Sequence, residues 1–110
     1  MTATKASPKD VVAAVGDRIG HRFTDTERVR RALTHSSLRD GGNYERLEFL
    51  GDRVLGLVVA DLLFTHFRDA DEGDLSVRLN QLVSAKTCAE VADELGLHEF
   101  IRTGADVKKL

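Results

Sequence analysis

The residues best suited to chemistry in this sequence are three carboxylates that precede its most apolar region. Glu45, Glu48 and Asp52 lie in the stretch NYERLEFLGD, at spacings of three and four residues. On a helix, these spacings place all three within about 60° of one another on one face. Like charges at such spacings destabilise a helix by roughly 0.2–0.5 kcal/mol per pair in water. Something must therefore offset the repulsion within this acidic cluster.

Two interpretations of the acidic cluster stay open on spacing alone. In the first, it is a solvated stripe, and the flanking Arg46 and Arg53 soften the repulsion. In the second, the carboxylates bind Mg²⁺ or Mn²⁺, because hard divalent ions take oxygen ligands and keep positions open for phosphate oxygens. The host helix favours the second, since a buried helix rarely carries a charged cluster for solubility alone.

A long helix from about Tyr44 to Phe67 is predicted to carry the acidic cluster. Its apolar residues between Leu47 and Phe64 fall at nearly every azimuth of a helical wheel. A helix that is apolar on all sides is expected to be buried. We therefore expect this helix to be the central element of the fold.

Shorter helices are predicted on both sides of the long one. Upstream, Ser7 of SPKD is the predicted N-cap of a first helix that runs towards Ile19. Thr24 with Glu27 forms a capping-box pattern for a second helix through RVRRALTH. Downstream, LSVRLNQLV is predicted to be a fourth helix, and Ser84 and Gly96 bound a fifth. The tail LHEFIRTGADVKKL is expected to be a loop.

Composition limits the partners that the chain can have. Its 110 residues suit one domain, and its single cysteine excludes an internal disulfide. The formal net charge of −2 supplies no general attraction for polyanions, so nucleic acid would have to be held by local arginines or by metal ions. The longest apolar run, VLGLVVADLLF, is too short to span a membrane and includes Asp61. A soluble, cytoplasmic protein without membrane partners is expected.

The stretch ERLEFLGDRVL is similar to the signature of the ribonuclease III family. Further family features surround it in the same order, RALTHSS before it and DEGDLSVRLNQLVS and CAEVADELGL after it. The resemblance implies an all-α fold, that of the ribonuclease III endonuclease domain, and a homodimer. The activity that it implies is Mg²⁺-dependent hydrolysis of double-stranded RNA in ribosomal and messenger RNA precursors, which leaves 5′-phosphate and 3′-hydroxyl ends.

The resemblance also implies roles for individual residues. Glu48 corresponds to a metal-binding glutamate, and Asp52 corresponds to the catalytic, metal-binding aspartate of the signature. Glu45 and Glu72 correspond to further acidic positions that line the cleavage valley. Phe49 corresponds to a phenylalanine that inserts into the partner subunit, although simple core packing is the alternative for this residue. His35 is expected to be a structural histidine or a C-terminal helix cap.

The sequence departs from the family pattern at its end and at one position inside the signature. It stops at Leu110, before the second acidic motif and the double-stranded-RNA-binding domain of the family. Residues 1–110 are therefore interpreted as the N-terminal portion of the catalytic domain, expected to be inactive alone. Arg53 stands where many members carry a small residue. The alternative function is a noncatalytic dimerisation or RNA-binding module on the same fold.

Overall fold

The computed structural model describes residues 8–35, 37 and 44–102, and every regular element among them is a helix. The helices are α1 (Pro8–Ile19), α2 (Thr26–Ala32), α3 (Glu45–His66), α4 (Glu72–Leu82), α5 (Ala85–Leu95) and a 3₁₀ turn, Leu97–Phe100. The only β-type pairing in this part of the chain is an isolated bridge between Thr34 and Arg102. The prediction of an all-α fold is confirmed.

Local end signals account for most of the helix bounds. The Ser84 side chain accepts the Thr87 N–H at 3.2 Å, and Gly96 ends α5 in the left-handed conformation with φ of 66°, as predicted. Asp71 caps α4 by accepting the Asp74 N–H at 2.8 Å. The tail differs from its prediction, because residues 97–100 form a 3₁₀ turn and residues 103–110 lie outside the described part.

The predicted start and end of the second helix are wrong. Asp25, not Thr24, is the N-cap, and its carboxylate accepts the Arg28 N–H at 3.0 Å. Both residue types are good caps, so the pattern alone did not choose between them. At the other end, α2 stops at Ala32 instead of continuing through Thr34 and His35, because the backbone there pairs with other segments. Ser7, the predicted cap of the first helix, lies outside the described residues.

The helices pack mainly on their neighbours along the chain. α1 packs on α2 and on the 3₁₀ turn, α2 on α3, α3 on α4, and α4 on α5. The buried apolar side chains are those of Val12, Val15, Val29 and Leu63. The core thus lies largely between α1 and α2, at one side of the long helix. No helix in the described ranges is long and apolar enough to cross a membrane.

The prediction that the long helix is buried is wrong for the described part of the chain. Phe49 is 63% exposed, Leu57 71% and Phe64 72%, and Leu63 is the one α3 side chain that is buried. A helix that is apolar on all sides needs neighbours on all sides, and here α2 and α4 supply its main contacts. α3 therefore presents a large apolar surface to solvent beside its acidic cluster.

A short backbone junction joins the end of α2 to the start of α3. Arg102 N–H donates to Leu33 O at 2.8 Å, and His35 N–H donates to Arg102 O at 2.8 Å. Tyr44 N–H donates to Thr34 O at 2.9 Å. Residues 33–35, which we call the 33–35 junction, thereby fix where α3 begins relative to α2.

Candidate active site at the start of α3

The acidic cluster occupies the first part of α3 and faces water. Glu45 is the first residue of the helix, and Glu45, Glu48 and Asp52 are all exposed. Water screens their mutual repulsion, and the partial positive charge of the helix N-terminus favours the two glutamates of the first turn. The exposure and the helix dipole thus offset part of the repulsion without any metal ion.

Arg53 further reduces the repulsion within the acidic cluster, at its Asp52 end. Its Nη1 lies 3.1 Å from Asp52 Oδ2, in a pair that is more than half exposed on both sides. The same guanidinium lies over the Phe49 ring, with Cζ 4.2 Å from the ring centroid. The flanking arginine therefore softens the repulsion as the solvated-stripe interpretation expects.

Tyr44, which was not among the predicted site residues, has a phenol whose pKa responds to its surroundings and to the two glutamates. Partial burial raises the pKa of the Tyr44 phenol, and the negative charges of Glu48 and Glu45 raise this pKa further. The phenol lies near both carboxylates and stays protonated at neutral pH. The signal available in the sequence was an aromatic residue placed directly before the first acidic residue of the motif.

A second group of acidic residues follows α3 and mainly starts and braces α4; its members are Asp69, Asp71, Glu72 and Asp74. Asp71 caps the helix, and Asp74 Oδ1 lies 3.2 Å from Arg78 Nε. Arg78 in turn lies over the Phe67 ring at 4.1 Å. Glu72, the one member assigned to the cleavage valley, is the exposed first residue of α4.

The predicted site residues are not gathered into one ligand set within residues 8–35, 37 and 44–102. Nowhere in these ranges do three or more histidine, cysteine, aspartate or glutamate side chains converge in a way that could hold a metal ion. Glu48 and Asp52 share a helix face, whereas Glu72 lies on a different helix. Carboxylate oxygens suit Mg²⁺, but two are fewer than a site held mainly by protein would need. The donor type thus fits the predicted Mg²⁺ site, but the described residues do not complete a ligand set for it.

His35 is a structural residue in the described fold. Its Nδ1 accepts the Ser37 N–H at 3.0 Å, and its ring meets the Tyr44 ring edge-on, with centroids 5.3 Å apart and planes at 79°. The predicted structural role agrees with these contacts. The alternative role as a helix cap is wrong, because α2 ends at Ala32.

Comparison with known protein families decides the assignment of the chain. A family model described as Ribonuclease-III-like matches residues 25–110, which is most of the chain and includes α3 with its acidic cluster. The chain belongs to the ribonuclease III family. Two curated relatives named Ribonuclease 3 come from Rhizobium meliloti and Agrobacterium fabrum, with identities of 73% and 62%.

The ribonuclease III relatives are considerably longer than this chain. The Rhizobium meliloti match covers 84% of this chain and 40% of the relative, and the Agrobacterium fabrum match covers 100% and 47%. The chain therefore spans less than half the length of these relatives.

A solved ribonuclease III structure confirms the fold class. The nuclease domain of ribonuclease III from Campylobacter jejuni superposes with a TM-score of 0.82 and is 39% identical. The match covers 89% of this chain and 68% of that domain. That structure concerns flexibility in a region involved in dimer formation of the Campylobacter domain. The predicted ribonuclease III endonuclease-domain fold is confirmed for this chain.

Proposed function

We propose that residues 1–110 are the N-terminal portion of the catalytic domain of a cytoplasmic, Mg²⁺-dependent endoribonuclease that cuts double-stranded RNA. Its substrates are ribosomal and messenger RNA precursors, and its products carry 5′-phosphate and 3′-hydroxyl ends. The observation that carries the proposal is the exposed acidic cluster of α3, which lies inside the segment that matches the Ribonuclease-III-like family model. An exposed carboxylate row is accessible both to a cation and to a nucleic acid.

Electrostatics explains why such a site needs a cation. Bare carboxylates repel phosphate, and the chain as a whole carries a formal net charge of −2. A phosphodiester therefore approaches α3 only when positive charge stands between it and the acidic cluster. Oxygen ligands select Mg²⁺, with Mn²⁺ as an alternative, for that position.

Each acidic residue has a proposed role in this site. Glu48 and Asp52 bind the metal ion, and Asp52 is the catalytic aspartate. Glu45 and Glu72 line the cleavage valley. Because the described residues hold no cluster of three such ligands, the ligand set must be completed from outside them. The 110-residue chain by itself is accordingly expected to be inactive or nearly so.

The apolar surface of α3 supports a homodimer. Phe49 is 63% exposed and lies between two members of the acidic cluster, and Leu57 further along α3 is 71% exposed. Contiguous apolar surface of this kind marks sites of protein contact. We assign Phe49 to insertion into a second copy of the chain. The flexible dimer-forming region of the Campylobacter jejuni domain is consistent with such an assembly in the family.

One observation favours a second candidate function, a noncatalytic dimerisation or RNA-binding module on the same fold. This observation is the missing three-residue ligand cluster in the described residues. A noncatalytic module would keep the apolar surface and the fold while cutting nothing. The two functions differ in whether Asp52 is needed for cleavage once the rest of the domain is supplied.

A chimeric enzyme tests the proposal. The matching part of this chain would replace the corresponding segment of the Rhizobium meliloti Ribonuclease 3, to which it is 73% identical over 94 residues. The chimera is expected to cut a long RNA duplex in Mg²⁺. Asp52→Asn should abolish cutting, whereas Asp61→Asn, an exposed aspartate on the same helix, should not. A folded chimera that binds duplex RNA without cutting it would favour the noncatalytic module.

A further inference from the structure

The 33–35 junction brings together three segments that are distant in sequence. Thr34 is fully buried there, and its hydroxyl donates to Arg30 O at 2.7 Å. Backbone hydrogen bonds from this junction reach Arg102 on one side and Tyr44 on the other. Backbone that is hydrogen-bonded to two other segments around a buried side chain is costly to displace. The 33–35 junction therefore resists displacement, and it restricts the movement of the segments that are hydrogen-bonded to it.

The start of α3 is attached to this junction and has no side-chain cap of its own. Tyr44 is the N-cap residue, but its side chain makes no capping hydrogen bond. The first backbone bond of the helix runs from Glu48 N–H to Tyr44 O at 2.7 Å. A helix start without a cap is prone to fraying. The position of Tyr44 therefore controls the position of the two residues that follow it in the acidic cluster, Glu45 and Glu48.

The Tyr44 side chain is held by an aromatic contact from the same junction. The His35 ring packs edge-on against the Tyr44 ring, an arrangement worth more than area burial alone. The Ser37 N–H, bonded to His35 Nδ1 at 3.0 Å, orients the imidazole in turn.

We propose that His35 and Tyr44 are positioning residues, which hold the acidic start of α3 in the orientation that metal binding by the cluster requires. The inference rests on the proposed function, because it concerns the same site. It gives a role to the THSS segment of the sequence, which the roles proposed for the site residues leave unused. Neither side chain needs to touch the substrate, since both act through the backbone of Tyr44 and through Glu45 and Glu48.

Amide hydrogen exchange tests the positioning step without any metal ion. In the 110-residue chain, His35→Leu and Tyr44→Leu should each speed exchange at the amides of residues 44 and 48 several-fold, while the Cys88 amide at the start of α5 stays unchanged. His21→Leu is the matched control, because His21 makes a similar edge-on contact with Phe23 at 4.8 Å in the α1–α2 loop. Unchanged exchange at residues 44 and 48 in folded leucine variants would overturn the proposal.

Titration with Mn²⁺, followed by paramagnetic broadening of the α3 amide signals, tests the consequence for the site. Both leucine variants should bind Mn²⁺ several-fold more weakly, because Glu48 then lies on a helix start that is held less firmly. The double variant should be little worse than either single variant, since both act through one contact. Tyr44→Phe, which keeps the aromatic ring that Tyr44→Leu removes, should bind Mn²⁺ as the parent does. Parent-like Mn²⁺ binding by the leucine variants would overturn the proposal.

The same titration separates failure of this inference from failure of the proposed function. If Glu48→Gln and Asp52→Asn weaken Mn²⁺ binding but the leucine variants do not, the metal site stands and the positioning role falls. If the leucine variants alter exchange at residues 44 and 48 but Glu48→Gln leaves Mn²⁺ binding unchanged, the metal site falls. A leucine variant that loses its helical circular dichroism is replaced by His35→Phe, which keeps an aromatic ring at this position and removes both ring nitrogens, including the Nδ1 acceptor. His35→Phe should then speed exchange at residue 37 and, more weakly, at residue 44, and parent-like exchange at both would overturn the role of the imidazole.

Discussion

The guanidinium of Arg53 lies over the ring of Phe49, with Cζ 4.2 Å from the ring centroid. The same guanidinium lies 3.1 Å from the carboxylate of Asp52. One cation therefore contacts both the proposed dimer anchor and the proposed catalytic aspartate.

Removing the Arg53 guanidinium should strengthen metal binding. In Arg53→Ala, Asp52 loses a positive group that competes with a metal ion for its oxygens. Exposed ion pairs are weak, so Mn²⁺ affinity should rise only about two- to fivefold. Isothermal titration of the chimera with Mn²⁺, in which the rest of the domain is supplied, measures the change. Arg46→Ala, on the same helix, is the control, and equal or weaker binding by Arg53→Ala would show that the pair does not compete with metal.

Phe49 should matter more for self-association than an equally exposed phenylalanine elsewhere on α3. Truncation of an aromatic anchor costs about 2 kcal/mol of binding free energy or more, which is roughly thirtyfold in Kd. Sedimentation equilibrium of Phe49→Ala should show this loss. Phe64→Ala, 72% exposed in the parent, should change Kd less. The insertion role of Phe49 fails if the two variants associate equally well.

Arg18 should stabilise the domain by joining α1 to the end of α5. Its guanidinium donates to Leu95 O at 2.9 Å and to Glu99 Oε1 at 2.6 Å, although its side chain is 44% exposed. Arg18→Met keeps the aliphatic stem and should lower the free energy of unfolding by about 1–2 kcal/mol. Urea denaturation measures this, with Arg22→Met in the adjacent loop as control. Equal stabilities of parent and Arg18→Met would refute the role.

Glu27 should make α2 sensitive to acid. Hydrogen bonds from Arg30 are the main reason why the pKa of Glu27 lies below its ordinary value of 4.5. A lowered carboxylate pKa stabilises the fold above that ordinary value, and the stabilisation disappears as the pH falls through the lower folded value.

The pH dependence of unfolding tests this contribution. Glu27→Gln should be less stable than the parent near neutral pH and should match it once the pH has fallen below the lowered folded pKa of Glu27. Glu94→Gln, an exposed glutamate on α5, is the control for a general charge effect. A constant stability difference across the pH range would mean that the pairing of Glu27 with Arg30 and Arg31 contributes nothing to acid unfolding.

The features that were predictable from the sequence depend on short-range interactions. Ser84 and Gly96 bound α5 as expected, and α3 runs from Glu45 to His66, within one residue of its predicted ends. Caps act over three or four residues, so the information lies within each segment. Thr24 and Asp25 show the limit of such signals, because two adjacent residues can both serve as caps.

The features that were missed depend on segments distant in sequence. Apolar residues at every azimuth of α3 indicated a hydrophobic helix, but they could not indicate how many neighbours pack on it. The pairing of residues 33–35 with Arg102 has no local signature, and with it the support of Tyr44 was also missed. In the same way, the motif predicted roles for Glu48, Asp52 and Glu72, but it could not show that the described residues contain no group of three such side chains able to hold a metal ion.

The most direct test of the proposed nuclease is the rate at which the chimera cuts a duplex RNA in Mg²⁺ under single-turnover conditions. The parent chimera should cut and leave 5′-phosphate ends, and Asp52→Asn should cut at least about a hundredfold more slowly, the loss expected when a metal site is disrupted. Asp61→Asn should cut at the parent rate. Equal rates for the parent and Asp52→Asn, with both folded, would contradict the assignment of the active site to α3.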